Sequence, residues 1–420
     1  MKRKLTGFAA LAALAIMAQA GTAAAQDCAV KVGVVYPTSI DWGKPIAATA
    51  LWVTDMINEA GGIDGCKFEA VLRDDQSDPK VGVDAAKALV DLDKVQLLLG
   101  TVASGVTIPM LTSVTAPAGV MQMSCCSSSN RLTQIAAEGT TKGLWFRTFA
   151  TSNVQASVAA ILARDSGYKT ISILYKNDDW GQDIAKLAAA AFEAAGVTVV
   201  GSTAITDGQP SYRAEVTEAL GAKADAVYMA IYPKEGISVV REWLSLGGTQ
   251  NIIGTNSLKS DEFKEAVGMR YLANFQGTDT STPRTDSATA FVDAYTAQFG
   301  AAPSGPGLPN SFDAAAIALL AYAAAGKDAK GADIAAKVPM VTDPAGEKIG
   351  GTVEGFTKAL ALLKEGKSVS YQGGTGAVVF DANGDVSAPA VAWAFGDSGI
   401  EEKRYIPLEE VGAFMDSMAK

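Results

Sequence analysis

From Val30 onward, two rhythms of apolar positions alternate along the chain. Short runs that are continuously apolar or apolar at every second residue, VKVGVVY, FEAVLRDD, LLLG and VMQM, then ISILYKN, VTVVG, AVYMAI and IIG, read as strands. Between them, apolar residues spaced three and four apart predict helices over 45–59, 80–92, 106–114, 151–167, 182–195, 212–220 and 235–246. Strand and helix alternating with short connections predict parallel sheets covered by helices on both faces. The pattern closes one unit around Trp145, Phe146 and Arg147 and then restarts. Two α/β units of similar size are therefore expected, and a cleft between such units suits a ligand.

The segment 97–133 concentrates the candidate chemistry. Its two apolar strands each run into a loop of small hydroxyl residues. Ser104 is expected to cap the helix 106–114, with Pro109 in its first turn. The strand 120–123 opens into Ser124, Cys125, Cys126, Ser127, Ser128, Ser129 and Asn130. Strand ends that gather free N–H groups and hydroxyls around one crevice suit a small anion such as a carboxylate. Serines at these positions equally serve as caps and turn residues.

Beyond residue 276 the sequence predicts a strand with a polar connector, then helices over 286–299, 312–325 and 353–364, without an independent third domain. AVVFDANGDV reads as a strand with a turn. Its Asp381, Asn383 and Asp385 resemble a calcium loop, but Ala392 stands where an EF-hand needs glutamate. AVAWAF and KRYIPL read as closing strands.

Composition narrows the function. Residues 1–25 carry Lys2, Arg3 and Lys4, an apolar run from Phe8 to Ala18, and Ala23-Ala24-Ala25, the pattern of a cleaved secretory signal. A soluble exported protein beginning near Gln26 is expected. Without the three basic leader residues, 32 Lys and Arg stand against 45 Asp and Glu, a net charge of −13 that disfavours nucleic acid and anionic lipid. The chain has no histidine, which excludes histidine-based triads and histidine-ligated metals. The four cysteines of an exported chain favour disulfides. Cys28 and Cys66 lead into neighbouring parallel strands and are expected to pair. Cys125 and Cys126 then form a vicinal bridge or stay free thiols. Dinucleotide and P-loop glycine patterns are absent, since Gly366-Lys367-Ser368 lacks the preceding glycine, and there is no G-x-S-x-G elbow. No enzyme and no cofactor are expected.

The run INEAGGIDGCKFEAVLRDDQSDPKVGVDAAKALV, the serine loops, FRTFATSNVQ and ISILYKNDDWGQDIAKLAAAAFEAAGVTVV together resemble the periplasmic leucine/isoleucine/valine-binding protein family. The resemblance covers nearly the whole chain after the leader. It implies an α/β type I periplasmic binding protein: two doubly wound parallel-sheet lobes, joined by three crossovers near Arg147, Gly277 and Ala388, that close on a ligand. The implied lobes are 26–147 with 278–388, and 148–277 with 389–420. Ser104 and Ser128 match positions that hold the ligand carboxylate. Cys126 falls where a backbone carbonyl faces the ligand ammonium, with Ser127 beside it. Trp42, Trp180 and Tyr232 match aromatic positions lining the cleft.

Two features depart from that family. Asn256 replaces its ammonium-binding glutamate, and Ser77 and Ala103 replace its disulfide cysteines, for which Cys28–Cys66 is a substitute. A neutral amide cannot balance an ammonium. The site must therefore recruit Asp41 or Asp179, or take a ligand without an ammonium, and the second is favoured. The resemblance implies a monomeric periplasmic receptor that delivers a small amino acid-like or carboxylate solute to an inner-membrane ABC permease with its ATPase subunits. The alternatives are an amide, urea-like or aromatic acid receptor, or a sensory binding protein.

Overall fold

A computed structural model describes residues 28–397 and 399–418, so the leader lies outside the described residues. Five strands form the first sheet: β1 (Ala29–Tyr36), β2 (Lys67–Asp74), β3 (Leu97–Gly100), β4 (Met121–Ser124) and β5 (Trp145–Arg147), in the order β2-β1-β3-β4-β5. All are parallel, and β3 and β4 are buried throughout, which explains why β3 is apolar without alternation, while the buried Gln122 of β4 accepts from Thr115 Oγ1 and donates to the Gly100 carbonyl. Val35 pairs with Gly100, Leu99 with Met123 and Ser124 with Arg147. This register brings the carboxyl ends of β1, β3, β4 and β5 to one edge.

A second sheet contains β6 (Thr170–Lys176), β7 (Thr198–Ile205), β8 (Ala226–Ala230), β9 (Ile252–Gly254) and β10 (Gln276–Thr280). After a small sheet of β11 (Glu347–Gly350), β12 (Val369–Gly373) and β13 (Gly376–Ala377), the chain returns as β14 (Ala390–Gly396) and β15 (Gly399–Ile406). The second sheet runs β15-β14-β10-β9-β8-β6-β7, with β14 and β15 antiparallel. The chain thus passes between the two large sheets three times: after β5, after β10 and before β14. Gly277, expected at a crossover, lies inside β10. The Trp393 indole covers it so closely that a Cβ there would come 1.9 Å from Trp393 Cε2.

The first lobe is centred on the helix Leu308–Ala325, which packs on the helix Gly43–Glu59 and the first sheet. Its length and composition would suit a membrane, but 78% of it is buried as lobe core. It begins four residues before the predicted start. The helix predicted over 106–114 also differs. It starts at Ser104 with Ala103 as cap, and after Met110 widens into a π-helical turn, Leu111–Thr115. Pro109 is not in the first turn but inside the helix, where it lacks an N–H for the ladder. Of AVVFDANGDV only Ala377 is strand, as the end of Gly376–Ala377, and a terminal helix, Leu408–Met418, follows the last strand. Cys28 is bonded to Cys66, as expected, and Cys125 to Cys126.

Candidate functional site

The two serine loops leave the carboxyl edges of β3 and β4 and are fixed from below. Arg147, fully buried at the end of β5, donates Nη1 to the carbonyls of Ser127 (3.0 Å) and Ser129 (2.9 Å), and Nη2 to Thr133 Oγ1 (2.7 Å). Its Nε donates to Asp385 Oδ1 at 2.6 Å, so the buried charge is balanced. Asp385 comes from the turn that resembles a calcium loop, held by N–H groups of Asn383 and Asp385 donating to Asp381. The turn therefore anchors the serine loop across 238 residues of sequence. Sequence reasoning missed Arg147 and Asp385 as site supports. An arginine within an apolar strand end was the available signal.

The hydroxyls divide into two groups. Ser127 turns inward: its Oγ lies 2.7 Å from Thr107 Oγ1, 3.1 Å from Ser124 Oγ and within reach of the Thr101 and Val102 carbonyls. Ser104 and Ser128 instead face a cavity. Ser104 Oγ accepts from the Ser129 N–H (3.1 Å), and Ser128 Oγ accepts from Ser152 Oγ (3.1 Å). Each oxygen thus already serves as an acceptor, which leaves its O–H to donate.

The second lobe supplies the opposite wall. Trp180, in the helix Asp179–Ala194, Tyr232, just after β8, and Asn256, just after β9, face the serines. The enclosed space is about 50 Å³, enough for a few water-sized groups. It is lined by Val102, Ser104, Cys126, Ser128, Phe149, Trp180, Tyr232, Asn256, Ser257, Pro306 and Gly307. Of the expected residues, Ser104, Cys126, Ser128, Trp180, Tyr232 and Asn256 meet here. Ser127 and Trp42 do not line the cavity, although Trp42 stacks on Tyr232 at 6.0 Å and 12° while Trp180 stacks at 5.0 Å and 26°. Tyr232 thus lies between the two tryptophans and stacks on both. Val102, Phe149, Ser257, Pro306 and Gly307 were not anticipated. Gly307, at φ +77°, passes so near the vicinal bridge that a Cβ would meet Cys126 Sγ at 2.5 Å.

The lobes are closed on one another. The Asn130 N–H donates to Asp183 Oδ2 at 2.7 Å, and Asp178 packs over Gly105. Burial raises Asp178 to about 6, against the opposing pull of the Gly181 N–H and Lys176. Burial likewise raises Asp183, and it lifts the Tyr232 hydroxyl well above its ordinary range, with nearby carboxylates adding to the rise. The two aspartates expected as counter-charges stay outside. Asp41 is 81% exposed beside Lys44, and Asp179 is exposed because Asp178 takes the helix-cap position and turns inward. No carboxylate or ammonium lines the cavity. Among the described residues, no group of three His, Cys, Asp or Glu side chains is placed to hold a metal. The arrangement offers neutral donors and aromatic faces around a small enclosure, which suit binding and orienting a solute.

A family model for periplasmic binding proteins matches residues 29–389. The Leu/Ile/Val-binding protein BraC3 of Rhizobium johnstonii is 29% identical over 365 residues, which cover 86% of this chain and 89% of that protein. The branched-chain amino acid transporter substrate-binding protein LivJ of Streptococcus pneumoniae, in complex with isoleucine, is similar over 90% of this chain and 99% of its own, with TM-score 0.72 at 21% identity. A solute-binding protein of an ABC transporter from R. palustris, in complex with benzoate, is similar over 90% and 97%, with TM-score 0.69 at 17% identity. The two structures bear on the fold, which they share with this chain.

Proposed function

This chain belongs to the periplasmic binding protein family, and from that membership we propose that it captures a small amino acid-like or carboxylate solute in the cleft between its lobes and delivers it to an ABC importer. The family works with ABC transporter permeases. In this reading the chain is exported by its leader, acts as a monomer, turns over no substrate, and docks on an inner-membrane permease with its ATPase subunits. Its first lobe comprises the chain up to Arg147 and from Ser281 to Pro389, and its second lobe the rest.

One observation carries the reading. Ser104 and Ser128 each have the hydroxyl oxygen occupied by a donor from the protein, so both O–H groups are left to donate into one closed cavity. A carboxylate is an acceptor only and matches such a pair, which carries no fixed charge of its own. Trp180, Tyr232, Phe149 and the Cys125–Cys126 bridge offer apolar contact to the remainder of the solute. Asn256 and the Cys126 backbone stand at its other end in this proposal, while Trp42 and Ser127 act by supporting Tyr232 and the serine loop.

Titration calorimetry with isoleucine, its 2-keto analogue and benzoate tests the proposal. Ser104→Ala and Ser128→Ala should each weaken the binding of an accepted carboxylate by about 1–2 kcal/mol, the loss of a hydrogen bond to a charged group; Ser128→Ala should leave thermal stability nearly unchanged, whereas Ser104→Ala also strands the Ser129 N–H and should cost about 1 kcal/mol of stability. Unchanged affinity in both variants would remove the serines from the site.

A further inference from the structure

Beyond Asn256 lies a second, larger space between the lobes, about 490 Å³. It shares Phe149, Pro306 and Gly307 with the serine–aromatic cavity, so the two spaces adjoin at these residues. Its charged lining residues are Lys259, Asp261, Asp279 and Glu402, and Glu402 is paired with Arg284.

Asp279 is the unusual member. It is 3% exposed; Oδ2 receives Lys259 Nζ at 2.9 Å, while Oδ1 has no partner. The Trp393 indole N–H in the same wall is also unpartnered. Buried polar atoms are nearly always bonded, so an unpartnered carboxylate oxygen within a cavity wall marks a place that can receive a donor once the Asn256 and Lys259 side chains beside it shift. The sheet register places that oxygen next to the first cavity. β9 and β10 run parallel with Gly254 opposite Gly277, so two residues further on Asn256, just past β9, and Asp279, still within β10, stand at one level. The Asn256 side chain indeed neighbours the Asp279 carboxylate.

We propose that this space is a second subsite of the solute site, in which the free oxygen of Asp279 takes a positively charged nitrogen of the solute whose carboxylate lies on Ser104 and Ser128. The assignment rests on the solute-capture reading above. The charge that Asn256 cannot provide is supplied from one strand over, and the Asn256 amide lies between the two cavities as a neutral hydrogen-bonding contact. Lys259 holds Asp279 in the empty site. Its side chain is 20% exposed, so it has a route outward when a solute nitrogen enters. The nitrogen can be an α-ammonium or an ammonium at the far end of a short chain, since both bring the same charge and N–H donors.

Titration calorimetry on the full mature chain separates these cases with four probes: isoleucine, its deaminated partner 3-methylpentanoate, 5-aminopentanoate and its partner pentanoate. The wild-type protein should prefer at least one amine over its deaminated partner. Asp279→Asn should weaken that amine by about 30-fold or more, as expected for losing a buried charge-assisted contact, and leave the deaminated acid unchanged. Lys259→Gln, which removes the competing cation, should tighten the amine and serves as the deciding variant if Asp279→Asn does not fold. Equal affinity for amine and deaminated acid, amine binding unaffected by Asp279→Asn, or no tightening in a folded Lys259→Gln would overturn the subsite while leaving solute capture intact. Failure of all four probes to bind the wild-type protein would overturn both.

Discussion

The core of the first lobe and the wall between the two cavities each bury an aspartate, and the two are equipped differently. Asp313, fully buried in the helix Leu308–Ala325, receives Tyr371 OH (2.9 Å) and the Gly374 N–H (2.8 Å) on one oxygen, and the Thr375 N–H (2.7 Å) and hydroxyl (2.5 Å) on the other. Asp279, equally deep, has a lysine on one oxygen and nothing on the other. A carboxylate that holds the fold together is filled by the fold itself. One that is left half-filled beside an interlobe cavity is ready for something the chain does not contain.

Truncation should separate the two aspartates most strongly. Asp313→Ala strands three N–H or O–H groups and a backbone N–H in the lobe core and should cost about 3–5 kcal/mol in urea unfolding. Asp279→Ala releases a partly exposed lysine and should cost only about 1 kcal/mol. Equal losses would erase the distinction between structural and ligand-directed carboxylates.

The two disulfides sharpen the same contrast. Cys28–Cys66 closes 38 residues at the edge of the first sheet remote from the cleft, so Cys28→Ser with Cys66→Ser should lose roughly 2–4 kcal/mol of stability and keep solute affinity. Cys125–Cys126 joins neighbours, closes no loop of consequence, and presents Cys126 to the cavity. Its replacement by Ala at both positions should leave unfolding nearly unchanged and weaken binding. Calorimetry alongside thermal unfolding checks both halves.

The smallest expected effect is the response to pH. Burial raises Asp75 and Asp178 to about 6, whereas in the unfolded chain such groups titrate near 4. Between about pH 6 and pH 4 the folded protein therefore holds protons that the unfolded chain has released, and stability rises as pH falls through that window. Unfolding temperature should be higher at pH 5 than at pH 7.5 by a few degrees (~2–4 °C). Asp75→Asn with Asp178→Asn should reduce the difference, with the remainder carried by groups such as Asp313, which burial also raises to about 6. A midpoint that falls on acidification from 7.5 to 5 would contradict the burial of these groups.

The layered fold was legible because fully buried parallel strands such as Leu97–Gly100 and Ala226–Ala230 are apolar without interruption and stand between amphipathic helices. Ser104 and Ser128 could be singled out because strand-end loops carry ligand contacts in such folds. The inward turn of Ser127 could not be read, since six consecutive small residues give no period. Asp178 and Asp179 illustrate a similar limit: which of two adjacent acids caps the helix depends on where its first turn begins. Asn256 was visible as a missing charge, but its replacement was not. Asp279 is remote in sequence and becomes its neighbour only through the parallel register of β9 on β10. Gly277, expected at a crossover, sits inside β10, where the Trp393 side chain that requires a glycine comes from a strand late in the chain.

Native mass spectrometry of the protein purified without refolding tests the central claim most directly. The expected result is a single small molecule per chain that carries both a carboxylate and a positively charged nitrogen, released on unfolding and absent from a preparation of Ser128→Ala with Asp279→Asn. A released solute without such a nitrogen, or one retained by the double variant, would contradict it.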